Sequence, residues 1–381
     1  MRIVTVLISL GIGGAEKQAL AVQERMAGRG HAAAVLVLRP RVPDQWATSL
    51  PTFHLGMRKS PLSFLPALLR ARRFLREFRP DLMHSHSYHA NIFARLLRIV
   101  APSIPVVSTV HNVYEGGRLR MLSYRLTDPL SRRTVAVSQA AWERFVRLKA
   151  IPARKSLVVH NGIDLAEFSP DADRRAATRS SMNAGTRFVW FTAARFVPAK
   201  DFPNLIDAFR QLLMEFSDAE LWIAGAPPDA KVIRHADGTT SFVWLTAMTS
   251  GVGDHVRWLG LRRDIPALLD AADAFVLGSA WEGMPLALGE AMAMEKPVVA
   301  TDAGGVPELV GGAGVVVPAR NREALAAAML AMMRKSREDR ALLGRATRQR
   351  IELHFNLDTA VDAWETLYRQ LTGGERQHAR P

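Results

Sequence analysis

Short apolar runs alternate with longer amphipathic stretches from one end of this chain to the other. The runs fall at Ile3–Ile8, Ala33–Leu38, Asp81–His84, Pro105–Thr109, Thr134–Val137 and Ser156–Val159. They are near-continuous rather than alternating, the signature of strands buried on both faces of a parallel sheet. The segments between them are long enough for crossover helices. A polar stretch, Asp171-Ala172-Asp173-Arg174-Arg175, breaks the cycle. It restarts with runs at Arg187–Ala193, Glu220–Ala224, Val256–Leu259, Ala274–Leu277, Pro297–Ala300 and Gly314–Val317. The pattern predicts an α/β protein of two doubly wound, Rossmann-like domains with a boundary near residues 165–180. A helical tail is expected over Arg322–Arg350 and Asp358–Leu371, and Gly373 to Pro381 reads as a frayed end. Pro227–Gly253 fits the cycle least well. Its Asp237-Gly238 pair is a hairpin signal and points to a small β insertion.

Composition narrows the class. The 381 residues are 48% apolar and 23% charged, as in a soluble globular protein. No apolar run approaches the ~18 residues of a membrane span. The apolar start, Met1-Arg2-Ile3-Val4-Thr5-Val6-Leu7-Ile8, runs straight into Gly11-Ile12-Gly13-Gly14 without a cleavage site. It reads as a first strand rather than a signal peptide, which makes a cytoplasmic location the expectation. With no cysteine there is neither a disulfide nor a thiolate metal site. The net charge of +14 is one-sided: residues 1–170 hold 25 Lys and Arg against 10 Asp and Glu, and residues 171–381 hold 25 against 26. Such a field favours an anionic partner: a phospholipid surface, a nucleic acid or an anionic substrate. An arginine-biased coding composition is the plain alternative. No aromatic stacking motif or helix-turn-helix signature supports nucleic acid. Phe64, Leu65, Leu68, Leu69, Phe74, Leu75 and Phe78 are interleaved with Arg70, Arg72, Arg73, Arg76 and Arg79, and a second basic cluster holds Arg118, Arg120, Arg125, Arg132 and Arg133. These segments are either a surface for anionic lipid, which would make the protein peripheral on a membrane, or core helices with arginine outer faces.

Ligands of open parallel sheets bind beyond the carboxyl ends of the strands, so candidate chemistry is sought there. The first strand ends in Gly11-Ile12-Gly13-Gly14-Ala15-Glu16 at a helix start, where backbone N–H groups face an anion. Glu16 stands where a dinucleotide fingerprint needs its third glycine, and the second strand ends in Arg39-Pro40 without an acid for a ribose. A nicotinamide enzyme is therefore disfavoured. His84 and His86 alternate by two and share a face. Zinc would need a third ligand from His89 or His111, and lining of a cleft is the better reading. His111, at a strand end before Gly116-Gly117, is a candidate donor to phosphate or sugar. Asn161-Gly162 suits a hinge between the domains. In the second half, Arg195 and Lys200 sit at a strand end and near a helix start, five residues apart, as a diphosphate clamp would. Glu282, in the loop after Ala274–Leu277, and Glu290, on the helix that follows, could enter one pocket at two depths and meet a ligand with hydroxyls in two places. Thr301-Asp302-Ala303-Gly304-Gly305-Val306-Pro307-Glu308 is a further glycine turn at a strand end.

In this order, Gly13-Gly14-Ala15-Glu16, His111, Asn161-Gly162-Ile163-Asp164, Arg195 with Lys200, Glu282 with Glu290, and Gly304-Gly305-Val306-Pro307-Glu308 resemble the retaining nucleotide-sugar glycosyltransferases of family 4. The resemblance implies a GT-B fold, two Rossmann-like domains facing across a cleft. Residues 1–168 would form the acceptor side and 169–355 the nucleotide-sugar side, with the helix and tail of 356–381 packing back on the first domain. It implies transfer from a nucleotide-sugar, a UDP-sugar first of all, to a glycan or lipid-linked acceptor in bacterial cell-surface polysaccharide synthesis. Glu290 would bind the ribose, Arg195 and Lys200 the diphosphate, and Glu282 with Gly283, Met284, Pro285 and Leu286 the sugar. Gly14 would approach the diphosphate, and His111 would contact the sugar and help the departing group. Gly13, Glu16, His86, Tyr88 and Asn112 would line the acceptor side. No metal and no cofactor are implied. Two departures stand out: Ala226-Pro227-Pro228 replaces a Gly-x-Gly-Pro turn, and Met284-Pro285 stands where Phe-Gly is usual. A phosphorylase or a nucleotide-sugar epimerase on the same fold is the alternative reading.

Overall fold

The structure, a computed structural model, describes residues 1–41, 46–58, 60–225, 232–234, 240–242 and 248–373. Two units emerge, one of residues 1–162 with the stretch from Leu357, the other of Ile163–Asn356. Each is built on its own parallel sheet, and each is treated separately.

The first unit carries β1 (Arg2–Leu7), α1 (Gly14–Gly28), β2 (Ala32–Val37), β3 (Thr52–His54), α2 (Phe64–Phe78), β4 (Leu82–His86), α3 (Tyr88–Leu97), β5 (Val106–Val110), α4 (Arg118–Thr127), β6 (Arg133–Ala136), α5 (Gln139–Arg147) and β7 (Ser156–Val158). The strand order is β3-β2-β1-β4-β5-β6-β7, and every pair is parallel. The period of two sorts the side chains. Val4 and Val6 pack with Ala67, Ala71 and Leu75 of α2 and Phe93 of α3. Ile3 faces the opposite layer with Val22 and Met26 of α1. Both sides are covered, so the strand residues have no polar face to show, and this is why the runs read as continuously apolar.

The second unit carries α6 (Ala172–Ser181), β8 (Phe188–Ala193), α7 (Phe202–Leu213), β9 (Ala219–Ala224), β10 (Val232–Arg234), β11 (Thr240–Phe242), β12 (Val256–Gly260), α8 (Ile265–Ala271), β13 (Ala274–Leu277), α9 (Leu286–Ala293), β14 (Val298–Asp302), α10 (Val306–Val310), β15 (Val315–Pro318), α11 (Arg322–Arg334) and α12 (Arg337–His354). Its sheet runs β12-β9-β8-β13-β14-β15, again all parallel. One face meets α7 and α11 through Trp190, Leu221, Val276, Phe209 and Met329. On another side α9 and α12 are joined: Arg348 Nη1 donates to the Ala293 carbonyl at 2.6 Å and Thr347 Oγ1 to the Met292 carbonyl at 3.2 Å. The last helix, α13 (Leu357–Gly373), belongs to the first unit, where Val361, Trp364 and Tyr368 complete the layer against Ile3 and Leu82.

Two differences from the sequence pattern have local causes, whereas the β insertion expected within Pro227–Gly253 is present as a strand pair. β3 is three residues long and too short to register as a run. The helix expected over Arg322–Arg350 is two helices. The first ends at Arg334 with Lys335 as its C-cap, and Ser336 caps the second, its hydroxyl accepting from the Asp339 N–H at 3.0 Å. β10 and β11 pair antiparallel, Val232 opposite Phe242; the Asp237-Gly238 turn, the Ala226-Pro227-Pro228 departure and the tail beyond Gly373 lie outside the described residues.

The chain leaves the first unit at Gly162, a position that tolerates no side chain. A Cβ there would stand 2.5 Å from the Cα of Leu357. The Gln18 amide brackets the same peptide, donating to the Gly162 carbonyl (2.9 Å) and accepting from its N–H (3.1 Å). Gly162→Val should cost about 1–3 kcal/mol, the usual range for forcing extra carbon into packed backbone. Urea unfolding of variant and wild type checks this, and equal midpoints would show that α13 can step aside.

Candidate functional site

Strand order reverses once in each sheet, between β1 and β4 in the first unit and between β8 and β13 in the second. At such a switch point the flanking connections turn to opposite faces, which opens a crevice beyond the carboxyl ends of the two strands. The loops after β1, β8 and β13 carry Gly13, Arg195, Lys200 and Glu282, and His86 ends β4, while His111 and Asn112 follow β5.

In the second unit, the loop after β8 carries Arg195 and Lys200, and the loop after β13 carries Glu282. Lys200 Nζ is bonded to Glu282 Oε1, and the Ser279 hydroxyl donates to the same oxygen at 2.6 Å. Glu282 is 6% exposed. A carboxylate so enclosed is stable only with a paired cation and hydrogen bonds, and it has both. Three backbone contacts fix this loop. Ala280 N donates to the Ala199 carbonyl (2.8 Å), tying it to the Lys200 turn, and Gly305 N donates to the Gly283 carbonyl (3.0 Å). Thr301 Oγ1, from β14, donates to the Ser279 carbonyl at 2.6 Å. The glycine turn after β14 thus braces the Glu282 loop. Asp201 takes a left-handed conformation (φ 44°) where the Lys200 turn enters α7. Arg195 is exposed and makes no ion pair among the described residues. Gly283, Met284, Pro285 and Leu286 are buried and lead into α9, with Pro285 at its N-cap. Glu290 lies in the second turn of α9 and is 8% exposed. Gly289 of the same helix lies against Ile163, whose Cδ1 would be 2.8 Å from a Cβ there.

In the first unit, Gly13 caps α1 and Gly14 opens it, exposed. The Glu16 carboxylate folds back over this start, since a Cβ on Gly13 would meet its Oε2 at 2.5 Å. The positive end of α1 therefore already holds one anionic group. His86 ends β4 and His111 follows β5; His86 Nδ1 and His111 Nε2 are 2.9 Å apart. His86 is only 4% exposed, so it lies beneath His111 rather than on an open wall. The Tyr88 hydroxyl pairs with Ser123 Oγ (2.9 Å), with the Arg120 guanidinium 4.6 Å from its ring centre. Asn112 Oδ1 accepts from the Tyr114 N–H at 3.2 Å and shapes the turn after His111. Among the described residues no group of three or more His, Cys, Asp and Glu is arranged to hold a metal ion.

Several contributors escaped the sequence reading. Glu115 takes the His111 backbone N–H on Oε1 (3.0 Å) and the Tyr124 hydroxyl on Oε2 (2.6 Å). Burial pushes its carboxyl up to about 7 against these bonds. Ser87, between His86 and Tyr88, has φ 69° and ψ 160°, a region that costs a non-glycine residue about 1–3 kcal/mol. A polar residue between two site candidates was the one signal available for it. Ser279 and Thr301 were visible only as members of strand-end loops.

Burial holds the imidazoles neutral. It brings His84 down to about 3 and His111 to about 4, and drives His86 the same way with help from His84 and His111. The sign follows. Unfolded chains take up these protons below pH ~6.5 and the folded chain does not, so stability is full above that pH and drains as pH falls toward 4. Each imidazole removes on the order of 1 kcal/mol per pH unit in that window. Glu115, raised, acts oppositely, its contribution being lost as pH rises from about 4.5 through about 7. Three groups outweigh one, so calorimetric melts should show the melting temperature falling between pH 6.5 and pH 5. His84→Gln should flatten that slope; an unchanged slope would mean that the imidazole is not held neutral.

The chain is similar to known proteins over both units. The glycosyl transferases group 1 family model matches residues 187–335, and the glycosyltransferase family 4 model matches residues 12–167. The UDP-Gal:alpha-D-GlcNAc-diphosphoundecaprenol alpha-1,3-galactosyltransferase of Escherichia coli is 24% identical over 320 residues, covering 80% of this chain and 79% of that protein. The amylovoran biosynthesis glycosyltransferase AmsK of Erwinia amylovora is 27% identical over 348 residues, covering 85% and 76%. Anabaena HepE, solved in complex with UDP-glucose, superposes with a TM-score of 0.80 at 22% identity, over 96% of this chain and 99% of that one. The fold is the two-domain α/β GT-B fold, and the chain belongs to the group 1, family 4 glycosyltransferases.

Proposed function

We propose that this enzyme moves a sugar from a UDP-sugar to a lipid-linked or glycan acceptor, with retention at the anomeric carbon and without a metal. The observation that carries the reading is the Lys200–Glu282–Ser279 group at the β8/β13 switch point. A buried carboxylate and a cation side by side, on a loop braced from both neighbouring strands, support a ligand that carries hydroxyls and phosphates. The E. coli relative's name specifies UDP-Gal and a diphosphoundecaprenol-linked acceptor, and HepE was solved with UDP-glucose. Both support a UDP-sugar here, and the former supports a lipid-linked acceptor. AmsK's name places that relative in amylovoran biosynthesis, which supports polysaccharide assembly as the setting.

In this reading the bond from the anomeric carbon to the diphosphate breaks through an oxocarbenium-like state. Charge grows on the leaving phosphate. Arg195, exposed on its loop, and Lys200 meet that charge, and the N-terminus of α9 adds its N–H groups. These partners lower the barrier because they bind the departing phosphate more strongly than the intact donor. Glu282 accepts from the sugar hydroxyls, Glu290 binds the ribose, and His111 serves as a further hydrogen-bond donor to a sugar or phosphate oxygen. The acceptor hydroxyl attacks on the face the phosphate leaves and passes its proton to the departing phosphate oxygen, which balances the step and retains configuration.

Among the described residues no helix is long and apolar enough to cross a membrane. Two helices of the first unit nevertheless present apolar side chains to solvent. Leu119, Leu122 and Leu126 of α4 are 82%, 47% and 69% exposed, at helical spacing, beside exposed Arg118 and Arg125. Leu65 and Leu69 of α2 are likewise exposed, beside Arg72, Arg73 and Arg76, whereas Phe64, Leu68, Phe74, Leu75 and Phe78 pack into the core. Leucines flanked by arginines suit an anionic bilayer surface, where apolar burial and charge attraction add.

Two outcomes test these readings. Lys200→Ala and Arg195→Ala should each lower turnover on the order of 10²–10³, as loss of one transition-state donor does. Transfer of radiolabelled sugar from a UDP-sugar, with a chelator arm expected to change nothing, reads this out; near-normal rates for both variants would remove the clamp. Leu119→Glu with Leu126→Glu, both on the surface, should abolish co-sedimentation with anionic vesicles. Wild type should bind anionic but not neutral vesicles, and less at high salt; equal binding by the variant would reassign these leucines.

A further inference from the structure

His84, His86 and His111 form a file of imidazoles running outward along the ends of β4 and β5. His84 is 1% exposed, His86 4%, and His111 is partly open. The innermost member is fixed from both sides. Its Nδ1 meets the Tyr368 hydroxyl at 2.5 Å and its Nε2 meets Thr109 Oγ1 at 2.7 Å. Tyr368 already accepts from Gln23 Nε2 (3.3 Å), so its own proton has His84 Nδ1 as its destination. His84 is therefore neutral, with its proton on Nε2 facing Thr109. Its ring lies against that of His86, centres 4.0 Å apart, and against Trp364, centres 4.3 Å apart. His86 is thus held between a neutral ring and His111, with no acidic group bonded to it.

One hydrogen bond joins His86 Nδ1 and His111 Nε2, and it has two polarities. If His111 donated, the proton of His86 would sit on its buried Nε2, which has no partner. If His86 donates, its Nε2 is left with an unpartnered lone pair instead. A buried N–H without an acceptor is the rarer and costlier of the two defects. The second arrangement follows, and it dictates the tautomer of His111. Nε2 of His111 is occupied as an acceptor, so its proton lies on Nδ1. That nitrogen has no partner among the described residues. The His111 backbone is pinned by Glu115, and the Ser87 N–H donates to the Thr109 carbonyl at 3.1 Å, so the two strand ends hold the imidazoles in register.

We propose that His86 is a positioning residue that locks His111 as its neutral Nδ1–H tautomer, so that His111 offers the sugar-nucleotide donor a hydrogen-bond donor rather than a lone pair or a positive charge. This rests on the reading of His111 as a ligand-facing group. The ligand chemistry it selects is an oxygen acceptor, a sugar hydroxyl or a phosphate oxygen, and it disfavours His111 as a general base.

Imidazole ¹⁵N spectra of the full chain test the lock without any turnover. In the wild type, His111 Nδ1 should resonate as a protonated nitrogen and Nε2 as an unprotonated one. In His86→Phe, which keeps a ring and removes the donor, His111 should become a mixture of tautomers. His86→Asn, whose amide nitrogen approximates Nδ1, should restore a good part of the wild-type pattern. It should also recover part of the transfer rate lost in His86→Phe, with the loss in kcat rather than KM. A proton on His111 Nε2 in the wild type would overturn the proposal even if His86→Phe failed to fold. So would an unchanged His111 spectrum in a folded His86→Phe. If the spectra behave as expected while His111→Phe keeps full transfer, the lock stands and the ligand-facing reading of His111 falls.

Discussion

A parallel sheet wound in both directions must change direction somewhere, and that change is the constraint on which this molecule's chemistry hangs. Between β8 and β13 the connections part to opposite faces. The space left cannot be closed by the sheet itself, so loops must line it. A lysine from one loop and a glutamate from the other meet there. Neither charge is viable alone at that depth. The unpaired carboxylate would face the full cost of burial, and removing one member of a buried pair is typically worth about 3–5 kcal/mol. The pair thus keeps a cation and a carboxylate in one geometry beyond the strand ends. Ser279 and the brace from β14 then limit its freedom to a single arrangement.

The first unit meets the same constraint with different chemistry. At its β1/β4 switch the groups are imidazoles and hydroxyls rather than an ion pair. Net positive charge is high in this half of the chain, and a protonated histidine would add to it. Burial against Trp364, Tyr368 and a second imidazole removes that outcome. Helix α13 supplies two of those three rings although it lies more than 250 residues from β4 in sequence. The return of the C-terminal helix is therefore part of how His84 is held neutral, in addition to covering the sheet.

The sheet architecture was legible because each strand is a nearly unbroken apolar run, a property set by burial on both faces and independent of distant partners. Switch-point loops were legible for the same reason, as the polar and glycine-rich stretches that follow such runs. Individual residues in those loops could be named by type, as with Lys200, Glu282 and His111. Their contacts could not be read. Lys200 and Glu282 are 82 positions apart, and His86 and His111 are 25 apart. Nothing in either local segment records which group the other will meet. Tyr368 and Trp364 fall within the helical tail expected over Asp358–Leu371, and only packing shows the hydroxyl reaching His84. The break at Ser336 is the opposite case. A serine followed three positions later by Asp339 is a local capping signal, present in the sequence and overridden by the longer amphipathic pattern around it.

The two switch points differ in what they ask of a ligand. At β8/β13 the exposed cation Arg195 and the paired Lys200 favour groups that carry or gain negative charge. At β1/β4 the start of α1 is already faced by the Glu16 carboxylate, which disfavours a second full negative charge there unless that side chain moves. A neutral N–H on His111 adds direction without adding charge. Binding energy directed at charge that appears only as the bond breaks raises turnover, whereas energy directed at charge already present raises affinity alone. Under the proposed transfer, charge stabilisation falls to Arg195 and Lys200, and a neutral donor such as His111 contributes orientation of an uncharged oxygen. On that proposal, losses at Arg195 and Lys200 belong in kcat through the leaving phosphate. On the same proposal, losses at His111 also fall in kcat, through the orientation of a neutral oxygen rather than through charge.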